Sequence, residues 1–197
     1  AVVGNLGSAE NFQALDPQGF WRHSLGVGVT AKIIAKRRKV DPGMHEEYFI
    51  AGLLHDIGKI PMNNVLSEEF VKAMEEAQRR HVSLADAESD LLGFSHVHAG
   101  YMIGQAWRLQ ESVMETIRYH HHPLDNDGEY RELVATVAAA DYFMNLAEVG
   151  FSGSRLATKP EQELFSELSI APTLIDEIEE DVLAQIQKAE VFLRVSE

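Results

Sequence analysis

The sequence contains no cysteine and has few basic residues. Without cysteine the chain cannot form disulfides, zinc fingers, iron–sulfur clusters or a thiol nucleophile. Lysine and arginine number 17 against 31 aspartates and glutamates, a formal net charge of −14 at pH 7. Because this average charge repels polyanions, we expect neither bulk nucleic-acid binding nor a polybasic membrane contact. A small anion drawn to a local metal centre remains compatible with it.

Long apolar runs are also absent. No run approaches the roughly 20 residues of a membrane span, and no signal peptide is visible, so we expect a cytoplasmic protein that makes no membrane contact. The chain begins at Ala1 rather than methionine. Residues 1–17 have no strong period, and we expect a loop or the remnant of an upstream segment there. Residues 18–197 then fit one domain.

Helical periodicity is present along most of the chain, whereas no convincing alternating strand pattern occurs. Apolar residues recur every four positions at Leu25, Val29 and Ile33, and a basic run ends that helix. The same reasoning predicts helices near residues 20–39, 49–58, from 67, 96–107, 110–121, 129–149 and from 172. We therefore predict an all-α bundle of about seven or eight helices.

Several of the nine histidines lie among apolar residues. His55-Asp56 follows the apolar run at 50–54, and Asp141 follows the apolar stretch 134–140. Buried carboxylates are costly unless they are paired or bind a metal, and no lysine or arginine follows Arg131 on that helix. A divalent metal centre would satisfy inward imidazoles and carboxylates together.

Each of these residues also has a simpler interpretation. A single buried histidine is more often a hydrogen-bonded core residue than a ligand. His120 and its two neighbours could sit favourably at the C-terminal end of a helix dipole, and Asp141 could accept hydrogen bonds. The combination favours the metal centre, because four separate helices each place a histidine or aspartate among apolar or small neighbours.

The pattern His23…His55-Asp56…Asp141 resembles the H…HD…D signature of the HD superfamily of metal-dependent phosphohydrolases. Residues 51–59 (AGLLHDIGK) resemble the central motif of that superfamily closely. The flanks at 20–24, 93–100 and 116–123 are similar to the HDOD branch, the HD-related output domain of bacterial signalling proteins. The resemblance covers residues 18–150 well and the C-terminal helix loosely, and it implies an HD-domain-like helical bundle.

The resemblance also implies up to two divalent ions, such as iron or manganese. A third ion is not expected, because Gly19 stands where trinuclear relatives have a glutamate. The implied ligands of the first ion are His23, His55, Asp56 and Asp141. The implied ligands of the second ion are Asp56 as a bridge, His96, His120 and His121. His98 and His122 are expected behind these ligands or at the surface.

The leading hypothesis from the resemblance is phosphoester or nucleotide hydrolysis in bacterial signalling. A metal-bridging hydroxide would attack phosphorus in line, with Asp56 and Lys59 as catalytic residues. Lys59 would steady the phosphate oxygens, or else it is an ordinary helix-end lysine. The sequence after His121 lacks the Gly-Tyr-Pro element of related cyclic-dinucleotide phosphodiesterases, which argues against cyclic di-GMP as the substrate.

Two alternatives remain open. The chain could be a non-catalytic signalling or output module with a structural or sensory metal site, whose long acidic helix 172–193 contacts a protein partner. It could also be a di-iron oxygenase built on the same ligand set, since nitrogen-rich ligation suits iron. Sequence spacing does not separate these from the hydrolase.

Overall fold

The computed structural model describes residues 15–153 and 162–194, and their regular structure is entirely helical. The all-α prediction is confirmed. The prediction for residues 1–17 lies almost wholly outside the described residues. Among those that are described, no helix combines the length and the apolar character that a membrane crossing requires.

Ten α-helices and two short 3-10 turns make up the described chain. The α-helices are α1 (Pro17–Arg37), α2 (His45–Leu54), α3 (Lys59–Val65), α4 (Ser67–Arg80), α5 (Leu84–Leu92), α6 (His96–Trp107), α7 (Glu111–Tyr119), α8 (Arg131–Leu146), α9 (Gln162–Glu167) and α10 (Leu174–Arg194). The 3-10 turns are Pro42–Met44 and Pro123–Asp125. Periodicity did not locate α3, α5 and α9, because a helix of nine residues or fewer repeats its apolar face too few times.

The first helix begins earlier than the apolar period indicates. Asp16 is its N-cap, and a side-chain oxygen of Asp16 accepts a hydrogen bond from the Gly19 N–H at 2.7 Å. Pro17 follows in the first turn, where its missing N–H costs nothing. Lys36 and Arg37 occupy the last turn, where positive charge favours the helix dipole.

The core is built around α1, which packs against α2, α8 and α10. Residues 133–140 of α8 are buried on every side, which makes α8 a central helix rather than a surface one. Phe20, Phe70 and Phe143 are among the largest fully buried side chains. Burial of such a side chain contributes about 1.5–3 kcal/mol. Asp141 directly follows the buried stretch of α8, so its side chain lies at the edge of this core.

Glycines allow α1 and α2 to touch backbone to backbone. A Cβ on Gly28 would lie 2.6 Å from the Phe49 carbonyl oxygen, and a Cβ on Gly52 would lie 2.8 Å from the Gly28 Cα. No larger residue fits either position without moving a helix. The crossing places the His23 and His55 rings 5.9 Å apart between centroids.

Gly58 provides a second close approach. The sequence predicts a helix that ends at Gly58, but α2 ends at Leu54 and Gly58 is the N-cap of α3. The turn over residues 55–58 lies against the first turn of α6, so that a Cβ on Gly58 would lie 1.9 Å from the His96 carbonyl oxygen. This contact brings His55 and Asp56 next to His96.

Candidate metal centre

All seven residues predicted as metal ligands converge inside the bundle. They form two groups, and within each group the candidate ligand atoms lie within 4.8 Å of one another. One group is Asp56, His96, His120 and His121; the other is His23, His55 and Asp141. The groups adjoin each other, because Nε2 of His55 lies 3.2 Å from Oδ2 of Asp56.

Five separate parts of the chain supply these side chains. His23 comes from α1, the His55-Asp56 pair from the turn after α2, and His96 from the start of α6. His120 and His121 follow α7, and Asp141 lies on α8. Most of the centre is buried; Asp141, whose side chain is 20% exposed, and His121, which is half-buried, are its only partly open members. Solvent therefore reaches the centre from the side of these two residues.

Four of the imidazoles are oriented by their Nδ1 atoms. Each Nδ1 faces a hydrogen-bond acceptor, which is a backbone carbonyl for three of the rings and a carboxylate for the fourth. The partners are the Val149 carbonyl for His23 (3.3 Å), the Gly52 carbonyl for His55 (2.7 Å), the Thr116 and Ile117 carbonyls for His120 (3.1 Å each), and Oε2 of Glu88 for His96 (2.6 Å). Each Nδ1 is therefore the natural site of one ring proton, and each Nε2 points inward, where it can bind a cation or hold a further proton.

The inward nitrogens lie close to other atoms that can accept a proton. Nε2 of His96 lies 2.9 Å from Nε2 of His121, and Nε2 of His23 lies 2.9 Å from Oδ1 of Asp141. Each of these contacts needs a proton or a cation between its two atoms. A cation bound in each group would meet this need.

Three buried atoms in the centre have no hydrogen-bond partner: Oδ1 of Asp56, Nε2 of His55 and Nε2 of His120. Oδ1 of Asp56 lies 3.4 Å from Nε2 of His96 and 3.5 Å from Nε2 of His120. An unsatisfied buried polar atom costs about 1–3 kcal/mol. Divalent cations, one in each group, would satisfy these three atoms, and a nitrogen-rich donor set with carboxylates suits ions such as iron, manganese or zinc. The residues therefore fit a metal.

The two carboxylates are strongly stabilised in their charged form. Burial acts to raise the pKa of Asp56, but the charges of His55 and Lys59 outweigh burial and hold that pKa well below its usual value. Burial likewise opposes ionisation of Asp141, but the hydrogen bond from His23 and the nearby charge of His55 hold its pKa well below the usual range. Burial opposes protonation of His55, yet the two carboxylates raise the pKa of His55 to about 10.

His120 and His121 have the opposite tendency. Burial lowers the pKa of His120 and lowers the pKa of His121 well below its ordinary value. Neighbouring rings add to the effect on His121, where the charge of His120 is the largest contribution after burial. Both rings are therefore neutral near pH 7, which is the form in which imidazole binds a metal.

Lys59 is buried and lies at the start of a helix, not in the solvated last turn of one. It is the first residue of α3 and is 2% exposed, and its Nζ lies 2.6 Å from Oδ2 of Asp56. The structure thus leaves Oδ1 of Asp56 as the oxygen that faces His96 and His120. The sequence alternative of an ordinary helix-end lysine does not describe this buried ion pair.

Two residues of the site were not found from the sequence. Glu88 on α5 binds His96, and Asn145 on α8 donates from Nδ2 to Oδ1 of Asp141 at 2.8 Å. The four-residue spacing of Asp141 and Asn145 was a usable signal, whereas α5 itself was not predicted. His98 and His122 are exposed; Nδ1 of His98 accepts a hydrogen bond from the Ser95 N–H in a capping arrangement at the start of α6.

A family model described as the HDOD domain matches residues 1–123 of the chain. The match includes six of the seven candidate ligands and ends before Asp141. An uncharacterised protein of Treponema pallidum (strain Nichols) is 27% identical over 139 residues, which cover 70% of this chain and 27% of that protein. The chain thus spans about a quarter of the length of this curated relative.

Three solved structures are similar. An HDOD domain protein of unknown function from Geobacter sulfurreducens has a TM-score of 0.71 at 28% identity, over 98% of this chain and 66% of that chain. A candidate signal transduction protein from Marinobacter aquaeolei VT8 has a TM-score of 0.71 at 19% identity, over 88% of this chain and 38% of that chain. A candidate phosphohydrolase from Shewanella amazonensis SB2B has a TM-score of 0.63 at 22% identity, over 95% and 64%. The last two show likeness of fold alone.

Proposed function

The chain belongs to the HDOD domain family, and on that premise we propose that it is a metal-dependent phosphohydrolase of bacterial signal transduction. Its substrate is a small phosphorylated ligand or a nucleotide. The observation that carries the proposal is the set of inward imidazole nitrogens and carboxylate oxygens that face one another in a buried centre, three of them without a hydrogen-bond partner. Such a donor set is suited to divalent ions.

The two groups of side chains would hold one ion each. One ion would take His23, His55 and Asp141, with Asp56 shared between the sites. The other would take His96, His120 and His121, together with Oδ1 of Asp56. When bound, such ions supply Lewis acidity toward phosphate oxygens and make water easier to deprotonate.

The chain's own residues hold this donor set in place. Lys59 fixes Asp56 through Oδ2, so that Oδ1 faces His96 and His120. Asn145 and His23 fix Asp141 through its Oδ1. Because only Asp141 and His121 are partly open, a phosphoester would approach from their side, and the buried remainder keeps bulk water away. Asp56 is the proposed catalytic carboxylate, and Lys59 adds positive charge close to where phosphate oxygens would bind.

A second candidate function is a signalling module whose ion is structural or sensory. The depth of the centre favours this candidate, because His23, His55 and His96 are each 1% exposed. The relative from Marinobacter aquaeolei is named for signal transduction. In this function the acidic helix α10 would contact a protein partner.

Phosphate release by the metal-loaded chain tests the first function. The purified protein is loaded with Mn²⁺ and assayed on phosphomonoesters, phosphodiesters and nucleotides. We expect release that depends on Mn²⁺, that is lost in Asp56→Asn, and that persists in the matched surface variant Asp125→Asn. Full ion occupancy with no turnover of any of these substrates would instead support the signalling module. Oxygen consumption that needs ferrous iron would support a di-iron oxygenase.

A further inference from the structure

We propose that Glu88 is a positioning residue that sets the affinity of one of the two predicted ion sites, by acting through His96. The inference rests on the metal centre of the proposed function. It does not rest on hydrolysis, because it concerns how the chain binds the ion.

Glu88 makes two contacts with the same residue. Its Oε2 accepts a hydrogen bond from the ring Nδ1 of His96 at 2.6 Å and another from the His96 backbone N–H at 2.8 Å. Together the two contacts fix both the start of α6 and the plane of the ring. Nε2 of His96 is thereby aimed at Oδ1 of Asp56, 3.4 Å away, and at His121.

The carboxylate of Glu88 is also completely buried, a position that a charged group occupies only with a compensating partner. It is 0% exposed, and its Oε1 is buried without a hydrogen-bond partner. Burial of a carboxylate is costly unless it is paired with positive charge. The bond to His96 offers that charge if a cation binds on the opposite nitrogen of the ring, since a metal-bound imidazole donates a stronger Nδ1–H bond.

His96 differs in this respect from the other oriented histidines. Nδ1 of His23, His55 and His120 each faces a neutral backbone carbonyl, whereas Nδ1 of His96 faces a carboxylate. A carboxylate partner makes an imidazole a more basic ligand than a carbonyl partner does. The two ion sites are therefore unequal, and the site that contains His96 is the one that Glu88 strengthens.

Mn²⁺ binding to the full chain tests the assignment. Free Mn²⁺ is measured by electron paramagnetic resonance while the metal is added to chelator-treated protein. In Glu88→Gln, which keeps the shape and an acceptor oxygen but removes the charge, we expect the affinity for one ion to fall by about 10–100-fold while the other ion binds as in the wild type. Glu88→Ala, which also removes the acceptor, should weaken the same ion further.

Two controls separate this role from a general effect on folding or charge. Asp90→Asn removes one negative charge from the same helix, where Asp90 is exposed and pairs with Arg80, and it should leave both affinities unchanged. In a His96→Ala background, Glu88→Gln should have no further effect on Mn²⁺ binding, because the residue acts through that ring.

The proposal is overturned if wild type and Glu88→Gln bind both ions equally, if both ions weaken together, or if the substitution has its full effect without His96. Absence of Mn²⁺ binding by the wild type overturns it as well. If the wild type binds two ions and hydrolyses nothing, the proposed function fails while the assignment of Glu88 stands.

Discussion

The ammonium of Lys59 contacts Oδ2 of Asp56 at 2.6 Å, and both side chains are 2% exposed. The pair lies in the turn that carries His55, between α2 and α3. A lysine is rarely buried without a specific partner. Here the partner is the carboxylate that the two predicted ion sites share, so Lys59 offsets part of the negative charge that is buried in the centre.

Removal of that ammonium should destabilise the metal-free protein. We expect Lys59→Met to lower the free energy of unfolding by about 3–5 kcal/mol, because it leaves a buried carboxylate without its partner. Added Mn²⁺ should then raise the melting temperature of the variant more than that of the wild type, since the ion replaces the lost charge. Chemical denaturation and thermal melts with and without Mn²⁺ measure both effects.

Lys32→Met is the matched control for that variant. Lys32 pairs with Glu46, whose side chain is 70% exposed, and loss of such a pair changes stability by about 0–1 kcal/mol. Equal destabilisation by the two substitutions would show that the buried Lys59 pair contributes no more to the free energy of unfolding than an exposed pair does.

Substitution of Gly58 should disrupt the contact that brings the two halves of the centre together. In Gly58→Ala the new methyl group would meet backbone atoms of α6, 1.9 Å from the His96 oxygen and 2.4 Å from the Gly100 nitrogen. Overpacking of this kind costs about 1–3 kcal/mol or more, and the displaced turn should also weaken metal binding. Gly128→Ala, where the nearest atom is 3.4 Å away, should change neither property. Unaltered metal content in a stable Gly58→Ala protein would contradict the account.

Substitution of His121 and substitution of its neighbour His122 should differ in their effect on metal content. His121 belongs to a ligand group, whereas His122 is exposed. We expect His121→Ala to lose about one ion per chain and His122→Ala to keep the wild-type content, because only removal of a ligand undoes coordination. Elemental analysis of both variants makes the comparison. Equal content in the two variants would mean that the placement of His121 among the ligands is wrong.

Asp141→Asn should weaken one ion more than it disturbs the fold. The substitution removes a negative charge at the partly open edge of the centre but keeps the shape of the side chain. Metal content and the melting temperature of the metal-free protein are measured together. A collapse in melting temperature with the metals retained would favour a purely structural role, in which Asp141 only accepts hydrogen bonds from His23 and Asn145.

The apolar periods predicted the long helices, because each of them repeats its buried face several times. They also indicated that the two carboxylates lie next to the core, since Asp56 and Asp141 follow apolar runs. The resemblance of residues 51–59 to the central HD motif supplied the ligand set, and the structure brings those residues together.

Other features depend on packing between distant helices and were not predictable from local pattern. Glu88 lies on a helix of nine residues that the period missed, and its partner follows eight positions later in a different helix. The position of Lys59 in the motif is the same whether its side chain is buried or exposed. Its burial depends on the packing of α3 against α6, which the local sequence does not show. Gly58 was interpreted as a helix end because glycine favours that position, whereas here it serves a close approach of two backbones.

The most direct test of the central claim is the metal content of the purified protein beside that of the double variant His55→Ala, Asp56→Ala, measured by elemental analysis. We expect about two divalent ions per wild-type chain and a marked loss in the double variant, because each of the two groups then lacks one of its ligands. Metal content that is the same in both proteins would contradict the account.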